Sequence, residues 1–348
     1  MRLLTPLPQD DLADVPAAAG AAEAAGYDGV VTMENRNEPF LALGVAAVAT
    51  SRVELHTGIA IAFARSPMAV ANAAWDLQTA SRGRFVLGLG SQIRAHNENR
   101  FSVPWSAPAP RLREYVEALR AIWRAWQTGA KLDYRGQHYH FTLMTPNFTP
   151  RSTGQPMVPV TIAAVGPAML RLAGEVCDGV RLHPFCTRRY VDEVVLPQLQ
   201  AGMARSGRSR EHFEISGGGF VATGADGPAV GRMVEWVRSR VAFYGSTPAY
   251  WPVLEVHGLG ELGRKLNVMS KGGQWEQMTA EISDDVVRLF AAVGTHQEIT
   301  GEIERRFRGA ADAVAISGGY GVRQDVPPAV VEEIRRIPSV FAGYRTTW

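Results

Sequence analysis

Short runs of apolar and β-branched residues alternate along this chain with longer stretches whose apolar residues recur every three or four positions. The first pattern predicts strands and the second amphipathic helices. Strands are expected at 2–5, 29–33, 53–62, 84–89, 160–164, 179–182, 213–222 and 313–317. Helices are expected at 17–25, 41–49, 68–81, 111–126, 168–175, 189–205, 229–243, 285–292, 296–307 and 329–344. In 111–126 the apolar set Leu112, Tyr115, Val116, Leu119, Ile122, Trp123 and Trp126 has helical spacing, so its aromatics read as core. Pro197 should kink or interrupt 189–205.

Eight strands, each followed by a helix, predict an α/β fold closed as a (β/α)8 TIM barrel. An open dinucleotide-binding sheet would carry a glycine fingerprint after the first strand. Here that turn reads Leu7-Pro8-Gln9-Asp10. Two irregular segments, 129–159 and 245–283, read as insertions after strands four and seven of a single domain spanning 1–348. Loops of that length in a compact domain are often binding elements.

Hydrophobic residues make up 46% of the chain and charged residues 20%, a globular balance. No run approaches the roughly 18 apolar residues of a membrane span. Met1-Arg2-Leu3-Leu4-Thr5-Pro6 lacks the long apolar run of a signal peptide. The expectation is a soluble, cytoplasmic protein without a membrane partner. A net charge of +2 with dispersed Lys and Arg argues against nucleic acid. Cys177 and Cys186 are too few for a disulfide scaffold and have no metal-ligand spacing; they read as small buried hydrophobes.

In a barrel, chemistry collects where the strands end. Strand two ends in Glu34-Asn35-Arg36-Asn37-Glu38, a polar cluster that is either a site or a solvated loop. Strand three ends in the small apolar run 58–64, against which a flat ring could lie. Strand four ends in Gly88-Leu89-Gly90-Ser91-Gln92, where glycines permit close backbone approach and Ser91 and Gln92 offer hydrogen bonds. Strand five ends in Ala163-Ala164-Val165-Gly166-Pro167-Ala168. Free N–H groups and the dipole at that helix start suit an anion, although proline also starts helices with no ligand. His183, at the end of strand six, is a candidate acid or substrate contact, and His56 lies too early in strand three to join it. The run 96–100 either caps the site or faces solvent. Hydrolase and nucleotidase motifs are missing.

These strand ends resemble the luciferase-like monooxygenase superfamily, in particular its coenzyme F420-dependent oxidoreductases. The matching pieces run in order through Ala25-Gly26-Tyr27-Asp28-Gly29, Glu34 to Leu41, Thr57 to Pro67, Ser81 to Gln92, Arg113 to Arg120, Ile162 to Pro167, Ala173 to Gly179, Tyr244 to Tyr250 and Val293-Gly294-Thr295. The resemblance implies a deazaflavin, F420, or alternatively FMN, with its ring in the barrel mouth against strand three. It implies a non-proline cis peptide near Thr57-Gly58-Ile59, a phosphate tail near Gly166-Pro167-Ala168, and a homodimer.

One departure stands out. Relatives place a histidine in the loop after strand two, whereas positions 35–38 here are Asn35, Arg36, Asn37 and Glu38. Asparagine orients a substrate but exchanges no proton near neutral pH. Glu34, Glu38 or His183 as proton donor, a substrate that needs none, and a cofactor-binding protein with little turnover all stay open. The expected reaction is hydride transfer between deazaflavin and a small-molecule substrate. Glu34, Asn35 and Asn37 would line the ring, Ser91 and Gln92 would reach its polar edge, and the two insertions would shape the pocket.

Overall fold

In the computed structural model, which describes residues 1–319, 322–324 and 326–346, eight parallel strands close into a ring. They are β1 (Arg2–Pro6), β2 (Gly29–Thr32), β3 (Glu54–Thr57), β4 (Phe85–Gly90), β5 (Val160–Ala164), β6 (Gly179–Leu182), β7 (Glu214–Gly217) and β8 (Ala313–Ala315). Neighbours pair in sequence order, and β8 returns to β1 with Leu3 opposite Val314. The expected (β/α)8 TIM barrel is present.

Its outer helices are α1 (Val15–Ala24), α2 (Pro39–Ala49), α3 (Pro67–Ala80), α4 (Pro108–Thr128), α5 (Pro167–Val176), α6 (Leu196–Ser206), α7 (Gly227–Gly245), α8 (Ile299–Phe307) and α9 (Pro328–Arg335). Several begin on proline, whose missing N–H costs nothing in a first turn. Glu38 and Ser66 cap α2 and α3 by accepting backbone N–H bonds. The apolar stripe of α4 is buried as its spacing predicted. No described helix is long and apolar enough to cross a membrane. Cys177 and Cys186 are both buried and free.

Five expected elements differ in detail. The third strand stops at Thr57, passes a cis Gly58–Ile59 peptide and resumes at Ala60–Ile61, which pairs with Leu89 and Gly90 of β4. The seventh stops at Gly217, because Gly217 and Gly218 take left-handed φ values of 87° and 96°. Phe220–Gly224 then leaves the ring and pairs in parallel with Ala291–Thr295. The first two residues of that partner strand, Ala291 and Ala292, were expected to be helical; a short apolar run reads either way until its neighbour is known. Before Pro197, residues Val191–Val195 widen into a π-helical turn, which absorbs the proline's clash with the preceding turn. The closing helix stops at Arg335, ahead of Pro338, and the tail crosses the N-terminal end of the barrel.

That end is ionic. Arg2 bridges Glu54 and Glu214 across the ring, His56 lies 2.9 Å from Glu54, and the Tyr344 hydroxyl donates to Glu214 at 2.7 Å. One layer higher, Arg181 bonds His56 and Thr161. Burial opposes each charge, yet Arg2 and His56 outweigh it at Glu54 and hold that carboxyl down to about 2. Burial pulls the other way on His56 and lowers its pKa. The expectation that His56 is structural agrees with its place in this network.

Candidate functional site

The loop after β2 is built around Glu34. Its N–H donates to the Ile59 carbonyl at 3.1 Å, and its carboxylate accepts the Ile61 N–H at 2.6 Å and the Arg65 guanidinium at 2.7 Å. Glu34 therefore clamps the chain just after the cis peptide, while the Gly58 N–H before it donates to the Thr32 carbonyl at 2.7 Å. Arg65 also reaches Glu38 at 3.4 Å and lies over the Phe40 ring. Both carboxylates that the sequence offered as proton donors are thus engaged, Glu38 as the cap of α2. Asn37 donates through its side-chain amide to the Gln9 carbonyl, tying this loop to the one after β1. Asn35 is half-buried beside them, and its carbonyl accepts from Arg100.

Glycines make the bulge of strand three possible. A Cβ at Gly58 would sit 2.5 Å from Val31, and one at Gly90 would sit 2.6 Å from the Ile59 side chain. At Gly88 a Cβ would lie 2.0 Å from the Thr57 carbonyl and 2.7 Å from Arg181. The glycine pair of β4 is accordingly required by its neighbours inside the barrel, which revises its reading as room for a ligand. Thr57 is fully engaged, exchanging hydrogen bonds of 2.8 Å with Gly88. Above these, Ile59, Ser91, Gln92 and Ala163 are half-exposed at the strand ends. Gln92 has a left-handed φ of 56°, uncommon for a residue with a side chain and frequent at ligand clamps. The run 96–100 lies on the short helix Arg94–Asn99; buried Asn97 donates to the Ser91 and Ile93 carbonyls and fixes that turn, while His96 and Arg100 face solvent.

At the end of β5, Ala164 is buried and Val165 half-buried, with Tyr190 donating to the Val165 carbonyl at 3.0 Å. Gly166, the first residue outside α5, makes no side-chain cap, and Gly166, Pro167 and Ala168 are exposed. A Cβ at Gly166 would meet nothing within 4 Å, and its φ of −85° suits any residue. No packing demand of the chain explains a glycine there.

His183 follows β6. Its Nδ1 accepts the Phe185 N–H at 3.0 Å, so the proton of the neutral ring is on Nε2. Burial lowers its pKa to about 4, keeping it neutral near pH 7. Tyr244 meets the imidazole edge-on at 4.4 Å between centroids, and Tyr250 lies at 4.8 Å. The cavity beside His183 and Phe185 holds only about 10 Å³, roughly one water. Tyr244 and Tyr250 thus wall the imidazole on two sides of a half-exposed residue.

The two insertions part company here. Tyr250 belongs to 245–283, so that insertion does reach the mouth. Segment 129–159 instead runs along the outside of α3 and α4. Glu114 of α4 accepts the N–H groups of Gln137 and His138, Trp75 of α3 donates to the Arg151 carbonyl, and Gln78 to that of Pro156. It begins at the C-terminus of α4, and its hairpin returns to the first turns of α4, where Arg111 donates to the Tyr139 hydroxyl at 3.1 Å and lies over the Phe63 ring of the strand-three loop. Sequence reasoning missed the roles of Gln9, Arg65, Tyr244 and Tyr250. Arg65 and Glu34 are 31 residues apart, which no periodic pattern links.

The model of the luciferase-like monooxygenase family matches residues 3–313. The chain belongs to this family. A Mycobacterium tuberculosis protein of uncharacterized function is 51% identical over 94% of this chain and 96% of its own. The 5,10-methylenetetrahydromethanopterin reductase of Archaeoglobus fulgidus is 28% identical over 86% of this chain and 88% of its own. Among solved structures, the coenzyme F420-dependent tetrahydromethanopterin reductase of Methanopyrus kandleri superposes with a TM-score of 0.76, at 19% identity, over 97% of each chain. That similarity concerns the fold. For a luciferase-like barrel, the strand ends described above form the expected site.

Proposed function

We propose that this single-domain chain is a coenzyme F420-dependent oxidoreductase acting on a small organic substrate. The observation that carries this reading is the uncapped, exposed start of α5 at Gly166, where N–H groups and the helix dipole face outward beside half-exposed strand ends. The residues fit the cofactor: the open glycine suits a phosphate tail, and the apolar shelf at Ile59 and Ala163 suits a planar ring. The similarity to methylenetetrahydromethanopterin reductase, together with the coenzyme F420-dependent tetrahydromethanopterin reductase that shares this fold, adds support for the deazaflavin.

When bound, the deazaflavin supplies or accepts a hydride. The main chain of Gly166, Pro167 and Ala168 would hold its anionic tail, with Ala164 and Val165 as the adjoining wall. Thr57, Gly58, Ile59 and Gly90 would form the floor under the ring, and Ser91 and Gln92 would meet its polar edge. Glu34, held by Arg65 and Ile61, keeps that floor in shape. Asn35 and Asn37 would orient the substrate beside it.

His183 then stands where the family's missing histidine leaves a need. Its Nε2–H can donate to a substrate oxygen or nitrogen, stabilising charge that grows there during transfer. A ring this resistant to protonation acts as a neutral donor; it does not store a proton. Tyr244 and Tyr250 would shield it on two sides.

The family match also favours a second reading, an FMN-dependent monooxygenase. Fluorescence titration of the purified protein with deazaflavin and with FMN separates them. Micromolar binding of deazaflavin and weaker binding of FMN is the expected result. The opposite order, with oxygen uptake in the presence of reduced FMN, would replace the proposal. Binding without turnover by any acceptor would mean a cofactor-binding protein, and binding of neither would end both readings.

A further inference from the structure

A cavity of about 420 Å³ opens beside the segment that follows β6, and none of its lining residues belongs to the mouth. Five arginines line it, namely Arg188, Arg189, Arg288, Arg305 and Arg306, against only two carboxylates, Asp192 and Glu193. Among the lining residues the excess is three positive charges, one of which, Arg305, is answered by Glu302 just outside the cavity.

The pairing of these groups is uneven. Arg188 pairs with Asp192, Arg189 with Glu193 and Arg305 with Glu302, all within one turn of helix. Such exposed pairs are weak and exchange readily for a better anion. Arg288 makes no ion pair among the described residues. Arg306 is buried and bonds only carbonyls, those of Leu289 and Cys186 at 2.8 Å and Gly218 at 3.3 Å. Its Nε has no partner among the described residues. Burial lowers its pKa to about 10, which still leaves it charged at neutral pH. A buried guanidinium without an anion is costly, and the described residues supply none.

We propose that this cavity binds a small phosphate ester, whose dianionic group is the missing counter-charge. Forked guanidinium donors match phosphate oxygens, and a divalent anion answers the excess of charge better than one carboxylate. The volume lies in the range of small-molecule pockets and exceeds what bare phosphate would fill. Thr187 and His257, 2.8 Å apart on its wall, offer polar contacts to the organic part. The site is independent of the redox reading above.

Calorimetric titration of the full chain with glycerol 3-phosphate tests it, with inorganic phosphate, citrate and glycerol as comparisons at matched ionic strength. Saturable binding of the ester is expected, with phosphate weaker and citrate and glycerol silent. Arg288→Ala and Arg189→Ala, at exposed positions, should keep the thermal midpoint and weaken the ester by about tenfold or more. No saturation in the unaltered protein, undiminished affinity in both variants, or tighter citrate binding would each overturn the proposal. Deazaflavin affinity should be the same in all three proteins. A parallel loss would assign the cavity to the cofactor's own tail and likewise overturn a separate site.

Discussion

The two ends of this barrel are built on opposite principles. At the N-terminal end, Arg2, Glu54, His56, Glu214 and Tyr344 form a paired network beneath the C-terminal tail. At the other end, Ile59, Ala163 and Val165 are half-exposed at the strand ends, and α5 starts without a side-chain cap. The difference teaches that a cluster of buried charges marks a site only when some of its bonds are unmet. A satisfied network holds the fold, and the free donors and open backbone lie at the mouth.

The largest effect should come from breaking the satisfied end. Arg2→Ala strands Glu214, whose side chain is 0% exposed, and should cost about 3–5 kcal/mol in urea unfolding. A loss below about 1 kcal/mol would mean that water replaces the arginine and that the end is not sealed. Glu34→Ala comes next. It removes the clamp on the strand-three bulge and should lose about 1–3 kcal/mol for the buried donors left behind. Cofactor binding and turnover should fall together; a loss of turnover alone would restore Glu34 as an acid–base group.

Gly166→Phe addresses the mouth alone. Its side chain meets open space, so the thermal midpoint should hold while deazaflavin binding weakens by about tenfold or more. Full affinity would remove the tail from α5.

The smallest effect is in pH dependence. His183 is charged more easily in the unfolded chain, where its pKa is near 6.5, than in the fold, where it is about 4. Between those values the unfolded state binds the extra proton, so stability should fall as pH drops through that window. Glu54 has a folded pKa of about 2 against an ordinary 4.5, so its contribution is full above 4.5 and fades as pH falls toward 2. His183→Gln should flatten only the first window, as followed by denaturation at stepped pH. An unchanged profile would show that the imidazole is solvated.

Much of the architecture was legible because it depends on local rules. Apolar periodicity marked the eight strands, proline marked helix starts, and the order of strand and helix implied a parallel ring. The missing loop histidine was likewise visible in Asn35 to Glu38. The break in β7 was not, since two glycines inside an apolar run announce a bend only when their φ values are known. Nor was the strand at Ala291–Thr295, which exists because Phe220–Gly224 is there to pair with it.

What the sequence determined by itself, then, is the fold class, the family and the set of strand-end residues available for chemistry. Tertiary structure alone decided their duties. It turned Glu34 toward Arg65 and Ile61, gave Gly88 and Gly90 to the packing of Thr57 and Ile59, and closed Tyr244 and Tyr250 around His183. The reason is range: periodicity and capping act within a few residues, whereas partners for a carboxylate or an imidazole come from whichever strands the closed ring brings together.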